Sequence, residues 1–245
     1  MKRSIPQKFA RSVSKRFNRV FGRFLSLDRN SIAAAYLAGE GIEIGALHNP
    51  LRLPRSCRVR YVDNVPAGEA SRRFHDVRSK RLVGVDILDD GERLGRIPDG
   101  SQSFVVANHF LEHCQNPIGA FRNMMRVLKD GGILYLAIPD KRYTFDKDRP
   151  STPFEHLLQD DLEGPERSRR QHLEEWTRLV EGLKDDAVVR SRIDELIRTG
   201  LNIHYHVWNQ AELLKLICAL RDTFSFDLEL AHKRKNETVF VLRKG

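Results

Sequence analysis

The order of apolar and polar residues in the middle of the chain predicts a strand, a helix and a second strand. An apolar run at residues 104–107 is followed by a helical pattern that places Phe121, Met124, Met125 and Leu128 on one face. A glycine turn at 130–132 ends this pattern, and a second apolar run covers 133–138. A strand, a helix and a strand in this order form the βαβ unit of a parallel sheet.

The same α/β pattern extends over most of the chain. Short apolar runs predict three earlier strands, at residues 41–45, 58–62 and 82–85. Asn209 is a candidate N-cap for a helix over 209–221, and runs at 226–231 and 238–242 predict a terminal hairpin. We therefore predict five alternating strand–helix units followed by a pair of strands.

Residues 140–205 break this rhythm and predict a helical insertion. The span is highly charged, has helical patterns around 166–182 and 186–198, and contains His156, His172, His204 and His206. We expect it to cover the substrate side of the sheet. The resulting division is a domain over 39–245, with the insertion at about 140–205, and a separate N-terminal segment over 1–38.

The N-terminal segment carries nearly all of the net charge. Residues 1–27 include eight Lys or Arg and no acidic residue, while the whole chain has a formal net charge of +9. Phe and Val recur there at spacings of three and four, which indicates a basic amphipathic helix. Three roles stay open: a helix packed on the domain or a solvated arm, a helix on an anionic membrane surface, and an organellar transit peptide.

Composition also limits which binding partners and which cellular compartment we expect. Because the rest of the chain is nearly neutral, we expect no nucleic-acid binding. The three cysteines are widely spaced, without metal-ligand spacing, and suggest a reducing compartment. No apolar run approaches the ~20 residues of a membrane span. We expect a cytoplasmic protein, with peripheral attachment at the inner membrane face as the membrane alternative.

The central motifs of the chain resemble those of a known family. Leu-Glu-His, Asn-Pro and Arg-Val-Leu-Lys-Asp-Gly-Gly occur in that order between residues 111 and 132. They resemble the second half of class I S-adenosylmethionine (SAM)-dependent methyltransferases, a resemblance that covers roughly 39–140 and 204–245. It implies SAM as cofactor. It also implies a Rossmann-like sheet of seven mostly parallel strands, with helices on both faces and the insertion after the fifth strand.

The first predicted loop departs from the family pattern. The resemblance implies that Gly45 lets the backbone approach the amino-acid part of SAM and that Glu43 faces its amino group. Leu47 and Asn49 stand where the family has its later glycines. An ordinary strand–helix turn is the alternative. The same departure argues against a dinucleotide cofactor, which needs a glycine-rich loop at a helix N-terminus.

Polar residues at three further strand ends complete the implied cofactor site. Open α/β sheets bind ligands at this edge, and an acid such as Asp63 can accept both ribose hydroxyl hydrogens there. The resemblance implies that Asp86 and Ile87 contact the adenine, although a cap or loop role is open for Asp86. It places Asn108 and His109 beside the sulfonium.

A hydroxyl acceptor needs a base, whereas the sulfonium itself mainly needs an aligned acceptor. Our candidate catalytic residues are His109, Asp140 and His156, and His204 and His206 are further candidates, with a structural role open for each histidine. A divalent ion held by Asp140, His156 and the His204/His206 pair is an alternative. Because no ligand spacing specifies a metal, we predict no metal site.

The acceptor is suggested by weaker features. Basic residues after the fifth strand suit an anionic acceptor or a solvated loop: Lys141, Arg142, Lys147 and Arg149. Motifs at 43–51, 84–91 and 139–146 resemble a bacterial subgroup associated with glycan assembly. We predict methyl transfer to oxygen of a saccharide or similar small molecule. Open alternatives are a non-catalytic methyltransferase-like partner, a C-methyltransferase of a quinone-like or natural-product acceptor and, more distantly, a nicotinamide-dependent oxidoreductase.

Overall fold

A seven-stranded sheet organises residues 27–73 and 80–245, which the computed structural model describes. The strands are β1 (Gly39–Ile44), β2 (Cys57–Asp63), β3 (Ile87–Leu88), β4 (Gln102–Asn108), β5 (Leu128–Pro139), β6 (Phe226–Arg234) and β7 (Glu237–Lys244). Their order is β3-β2-β1-β4-β5-β7-β6. Strands β1 to β5 pair in parallel, and β7 runs antiparallel between β5 and β6. The predicted fold class is confirmed.

Helices cover both faces of this sheet. The helices are α1 (Arg29–Tyr36), α2 (Ala67–Arg73), α3 (Pro117–Val127), α4 (Phe154–Glu163), α5 (Glu166–Leu179), α6 (Asp186–Thr199) and α7 (Gln210–Thr223). Asn116 is the N-cap of helix α3, and its side chain accepts the Gly119 amide. The predicted N-cap Asn209 is confirmed, because its side chain and Glu212 form a capping box at the start of α7.

The core divides into two layers because side chains on a strand alternate between its faces. Ile42 and Ile44 of β1 belong to one apolar cluster with Phe121 of α3 and Leu213 of α7. Phe104 of β4 belongs to the other cluster, which includes Ile32 and Ala33 of α1. Strand β5 is buried from residue 132 to its end, as expected for a central strand covered on both faces.

Two predicted boundaries are wrong. The third strand is Ile87–Leu88 instead of 82–85, because the Val83 amide donates to the Leu47 carbonyl oxygen and only Ile87 begins the pairing with β2. Leu128 is the first residue of β5 and not part of the helix, which ends at Val127.

The predicted amphipathic helix at 1–27 lies outside the described residues apart from residue 27.

The insertion lies between β5 and α7 and has its own core. Helices α5 and α6 pack through Leu173, Val189 and Ile193, joined by Ile203 and Tyr205 of the segment that leads to α7. None of the helices in the described part of the chain is long and apolar enough to cross a membrane.

Candidate active site

A cavity of about 550 Å³ lies between the carboxyl ends of the strands and the insertion. Its sheet side is lined by strand-end residues: Gly45, Asp63, Asp90, Gly91 and His109. Its outer side is lined by residues of the insertion and the following segment: Arg169, Trp176, Asn202 and Tyr205. Cavities of this size at the strand ends of an open sheet are typical of small-molecule sites.

The loop after β1 keeps the backbone shape that glycines usually provide. Gly45 has φ of +63° and Leu47 has φ of +48°, so both occupy the left-handed region. A Cβ atom on Gly45 would meet only the Phe110 ring, at 3.9 Å. Leu47 therefore preserves the conformation at a family glycine position, and the Gly45 backbone remains open to the cavity.

Glu43 supports this loop from behind and does not line the cavity. Its buried carboxylate accepts the Leu51 amide at 3.0 and 3.1 Å. Burial raises the pKa of Glu43 to about 7, although the Leu51 amide and the Asn108 side chain favour the charged form. Asn108, predicted beside the sulfonium, thus lies near Glu43, and neither side chain lines the cavity.

Asp63 lies where the sequence predicts, at the end of β2 and in the cavity wall. Burial raises the pKa of its carboxyl group, partly offset by backbone amides that include that of Val65, 3.3 Å from Oδ1. The carboxylate is therefore held by its own turn at the position where it can accept hydrogens from a ligand.

Asp86 and Ile87 do not reach the cavity. Asp86 precedes β3, where its carboxylate accepts the Tyr61 amide at 2.8 Å, and Ile87 packs against the core. The residues that follow β3 at the sheet edge are Asp89, Asp90 and Gly91, and the last two line the cavity. The Asp-Asp-Gly turn after Ile-Leu is the sequence signal that would have located Asp90 and Gly91 at the sheet edge.

His109 is the polar side chain at the end of β4 that faces the cavity. Its Nε2 is 2.9 Å from Oε2 of Glu237, and its Nδ1 is 3.6 Å from Oε1 of Glu112. The Arg29 Nε donates to Glu237 at 2.8 Å. Although burial of Glu237 opposes its ionisation, the hydrogen bonds from His109 and Arg29 lower its pKa to about 2.

Sequence patterns did not reveal this Arg29–Glu237–His109 chain. Its acid comes from the first residue of β7 and its arginine from α1, 208 positions away in the chain. Only the pairing of β7 with β5 brings Glu237 to the strand end beside His109, so no local signal marks it.

The other predicted catalytic residues lie away from the cavity. The Asp140 carboxylate is fully buried and accepts from Arg142 at 2.6 and 2.9 Å. His156 meets His172 inside the insertion, with 2.9 Å between the two Nε2 atoms. His204 is likewise engaged elsewhere, with Nδ1 2.6 Å from the Asp146 carboxylate.

The basic residues after β5 do not line the cavity either. Arg149 is buried and donates to Asp146, Glu175 and two backbone carbonyl oxygens. Lys141 donates to the Arg149 carbonyl oxygen, and Arg142 pairs with Asp140. Three of the four residues that suggested an anionic acceptor therefore have internal partners.

Comparison with known proteins gives a family match over part of the chain. Residues 38–136, less than half of the chain, match a family model described as a methyltransferase domain. No curated protein matches the chain. This match, the sheet topology and the strand-end cavity support a SAM-dependent methyltransferase. The residues present fit SAM: the cavity is large enough, the Gly45 backbone is open to it, and an acidic side chain, Asp63, lies in its wall.

Solved structures share the fold at low identity. A SAM-dependent methyltransferase from Methanosarcina mazei is 19% identical with a TM-score of 0.47, over 89% of this chain and 99% of that one. A SAM-dependent methyltransferase from Aquifex aeolicus is 11% identical with a TM-score of 0.43, over 92% and 87%. The CurJ carbon methyltransferase is 14% identical with a TM-score of 0.45 over 92% of this chain, which spans only 52% of that protein. At these values the similarity carries no functional argument.

The raised pKa of Glu43 predicts a specific pH dependence of stability. Between the usual pKa of 4.5 and about 7, the folded state binds more protons at Glu43 than the unfolded state does. The contribution of Glu43 to the free energy of unfolding therefore falls as pH rises through this window, by about 3 kcal/mol in all. Glu43→Gln removes this loss, so its stability relative to wild type should rise by that amount across the window.

Urea unfolding of both proteins at several pH values measures this difference. The matched control is Glu40→Gln, which changes an exposed glutamate on the same strand and should leave the wild-type pH dependence intact. Parallel stability curves for wild type and Glu43→Gln would contradict the assignment.

Proposed function

We propose that this enzyme transfers the methyl group of SAM to an oxygen atom of a saccharide or a similar polyhydroxylated small molecule. The observation that carries the proposal is the continuity of the cavity, from the Gly45 loop and Asp63 on the sheet side to Arg169 and Trp176 on the insertion side. A single chamber of this kind holds donor and acceptor side by side, which is the main requirement of methyl transfer.

On the sheet side, the strand-end residues suit the cofactor. The open backbone at Gly45 suits the amino-acid part of SAM, and the Asp63 carboxylate suits the two ribose hydroxyls. Asp90 and Gly91, which replace Asp86 and Ile87 in this role, flank the space expected for the adenine. Glu43 holds the loop from behind through the Leu51 amide.

On the outer side, polar and aromatic side chains suit a polar acceptor. The cavity is lined there by the Arg169 guanidinium group, the Trp176 ring and the Asn202 and Tyr205 side chains. Such a lining combines hydrogen-bonding groups with an aromatic surface, which suits a ligand that supplies oxygen acceptors. A saccharide offers these oxygens together with apolar C–H faces that can pack on the Trp176 ring.

The arrangement around His109 suits a base for a hydroxyl acceptor. SAM supplies a methyl group on a positive sulfonium that transfers in line to a nucleophile. The Glu237 carboxylate accepts from His109 Nε2, which leaves Nδ1 to take the acceptor proton. The Glu237 carboxylate stabilises the resulting imidazolium, in the manner of other carboxylate-oriented histidine bases.

The acceptor class is tested by methyl transfer from radiolabelled SAM to nucleotide sugars, lipid-linked saccharides, quinols and small phenols. The proposal expects a methyl ether of a saccharide as the labelled product, together with S-adenosylhomocysteine. A label found only on carbon, or only on quinols or phenols, would contradict the saccharide proposal while leaving the methyltransferase class intact.

Asp63→Asn should weaken cofactor binding because an amide replaces a charged acceptor for the ribose hydroxyls. Calorimetric titration with S-adenosylhomocysteine should show a Kd about 10- to 100-fold higher than that of wild type. Asp130→Asn, which changes an exposed aspartate at the opposite end of β5, is the matched control and should bind normally. Equal affinities for Asp63→Asn and wild type would refute the role of Asp63.

His109→Gln should lower turnover without weakening the cofactor. Loss of the base should reduce kcat by about 10²- to 10⁴-fold with the best acceptor, while the Kd of S-adenosylhomocysteine stays within a few-fold. His232→Gln, which changes a histidine on β6 outside the cavity, serves as control. If kcat falls and the Kd of S-adenosylhomocysteine rises by similar factors, His109 belongs to the cofactor site instead.

A further inference from the structure

We propose that His156, Asp160, His172 and His206 form a binding site for one divalent transition-metal ion of the zinc type. The site lies inside the helical insertion and is separate from the cavity. It does not rest on the proposed acceptor, because its residues do not line the cavity and its role is to hold the insertion in shape.

The four side chains converge from three segments that are distant in sequence. His156 and Asp160 are one turn apart on α4, His172 comes from α5, and His206 comes from the segment before α7. One potential ligand atom from each lies within 4.8 Å of all the others. Such convergence of four ligating groups places them around a common point.

The distances match the spacing of ligands around one ion. The Asp160 Oδ2 atom is 3.2 Å from Nε2 of His156 and 3.9 Å from Nε2 of both His172 and His206. The Nε2 atoms of His156 and His172 are 2.9 Å apart. Ligands about 2.0–2.1 Å from a tetrahedral zinc ion are about 3.3 Å from one another, a value within this range.

Hydrogen bonding alone does not account for the cluster. Asp160 Oδ2 is buried amid three imidazole nitrogens, yet it has no hydrogen-bond partner of acceptable geometry among the described residues. Nδ1 of the fully buried His206 also has none within the described ranges, and its Nε2 is 3.4 Å from the Gln115 carbonyl oxygen. A buried carboxylate oxygen without a partner is costly, and an ion bound at Oδ2 removes that cost.

The surroundings resemble those of a structural metal site. The second oxygen of Asp160 accepts the Ser168 hydroxyl at 2.6 Å, which fixes the carboxylate as outer partners of ligands do. The buried Trp208 ring stacks on His206 at 5.9 Å and excludes water from one side. Four protein ligands leave no open position, which is the pattern of structural zinc rather than catalytic zinc.

The ion would also set the outer wall of the cavity. His172 lies between Arg169 and Trp176 on α5, and His206 follows Tyr205. These two proposed ligands are therefore close in sequence to residues that line the cavity. Binding one ion to α4, α5 and this segment fixes their relative positions. Since a preformed site is absent from the unfolded chain, the binding free energy stabilises the folded insertion.

The test uses the full-length protein and zinc itself. Protein purified without metal-chelating resin should contain zinc by mass spectrometry, and treatment with a chelator should lower its Tm, which added zinc should restore. Cobalt(II) in place of zinc should give the intense visible absorption of a tetrahedral site. Because Glu112, His113 and His204 also bring three potential ligand atoms within 4.8 Å, variants are needed to assign the ion.

The paired variants are His172→Gln and His206→Gln, with His232→Gln as the control histidine. Each ligand variant should lose at least about tenfold in zinc affinity, whereas the control should bind as wild type does. Wild-type protein that contains no metal and whose Tm does not respond to zinc would overturn the proposal. So would ligand variants that retain wild-type affinity. If the variants fail to fold, a cobalt(II) spectrum of wild type without tetrahedral bands overturns it.

Discussion

The buried guanidinium of Arg149 is the contact on which the outer half of the site depends. Its three nitrogens donate to Asp146 and Glu175 and to the carbonyl oxygens of His204 and Tyr205, at distances of 2.7 to 3.1 Å. These partners belong to the loop after β5, to α5 and to the segment before α7. Arginine suits this role because its planar fork presents several donors in fixed directions. Removing it would take the arginine donor from Oδ1 of the buried Asp146 and from the two carbonyl oxygens, at a cost of several kcal/mol.

The two halves of the cavity follow from different physical constraints. The sheet half depends on parallel strands that end at one edge, so that Gly45, Asp63, Asp90 and His109 meet without any direct bond among them. The outer half has no sheet to define it and is held by buried polar contacts instead. Arg149 supplies one set of these contacts and the His156–Asp160–His172–His206 cluster supplies a second.

The sheet was predictable because it depends on local patterns, whereas the site depends partly on partners far apart in sequence. Apolar runs located β2, β4 and β5, and the strand-end positions of Asp63 and His109 followed from those of β2 and β4. The third strand was misplaced because residues 82–85 are apolar but bond to the β1 loop, which moved Asp86 out of the site. Glu237 and Asp160 carry no local signal. Of the residues that the metal alternative grouped together, His156 and His206 meet, whereas Asp140 pairs with Arg142 and His204 with Asp146.

The central claim is that one cavity holds SAM at the sheet edge and the acceptor beneath the insertion. The most direct measurement is a crystal structure of the protein with S-adenosylhomocysteine. We expect the ribose hydroxyls to bind Asp63, the adenine to lie beside Asp90 and Gly91, and the sulfur to lie near His109. The space toward Trp176 should stay empty, because it is the proposed acceptor site. A ligand bound outside this cavity, or one that fills the space next to Trp176, would contradict it.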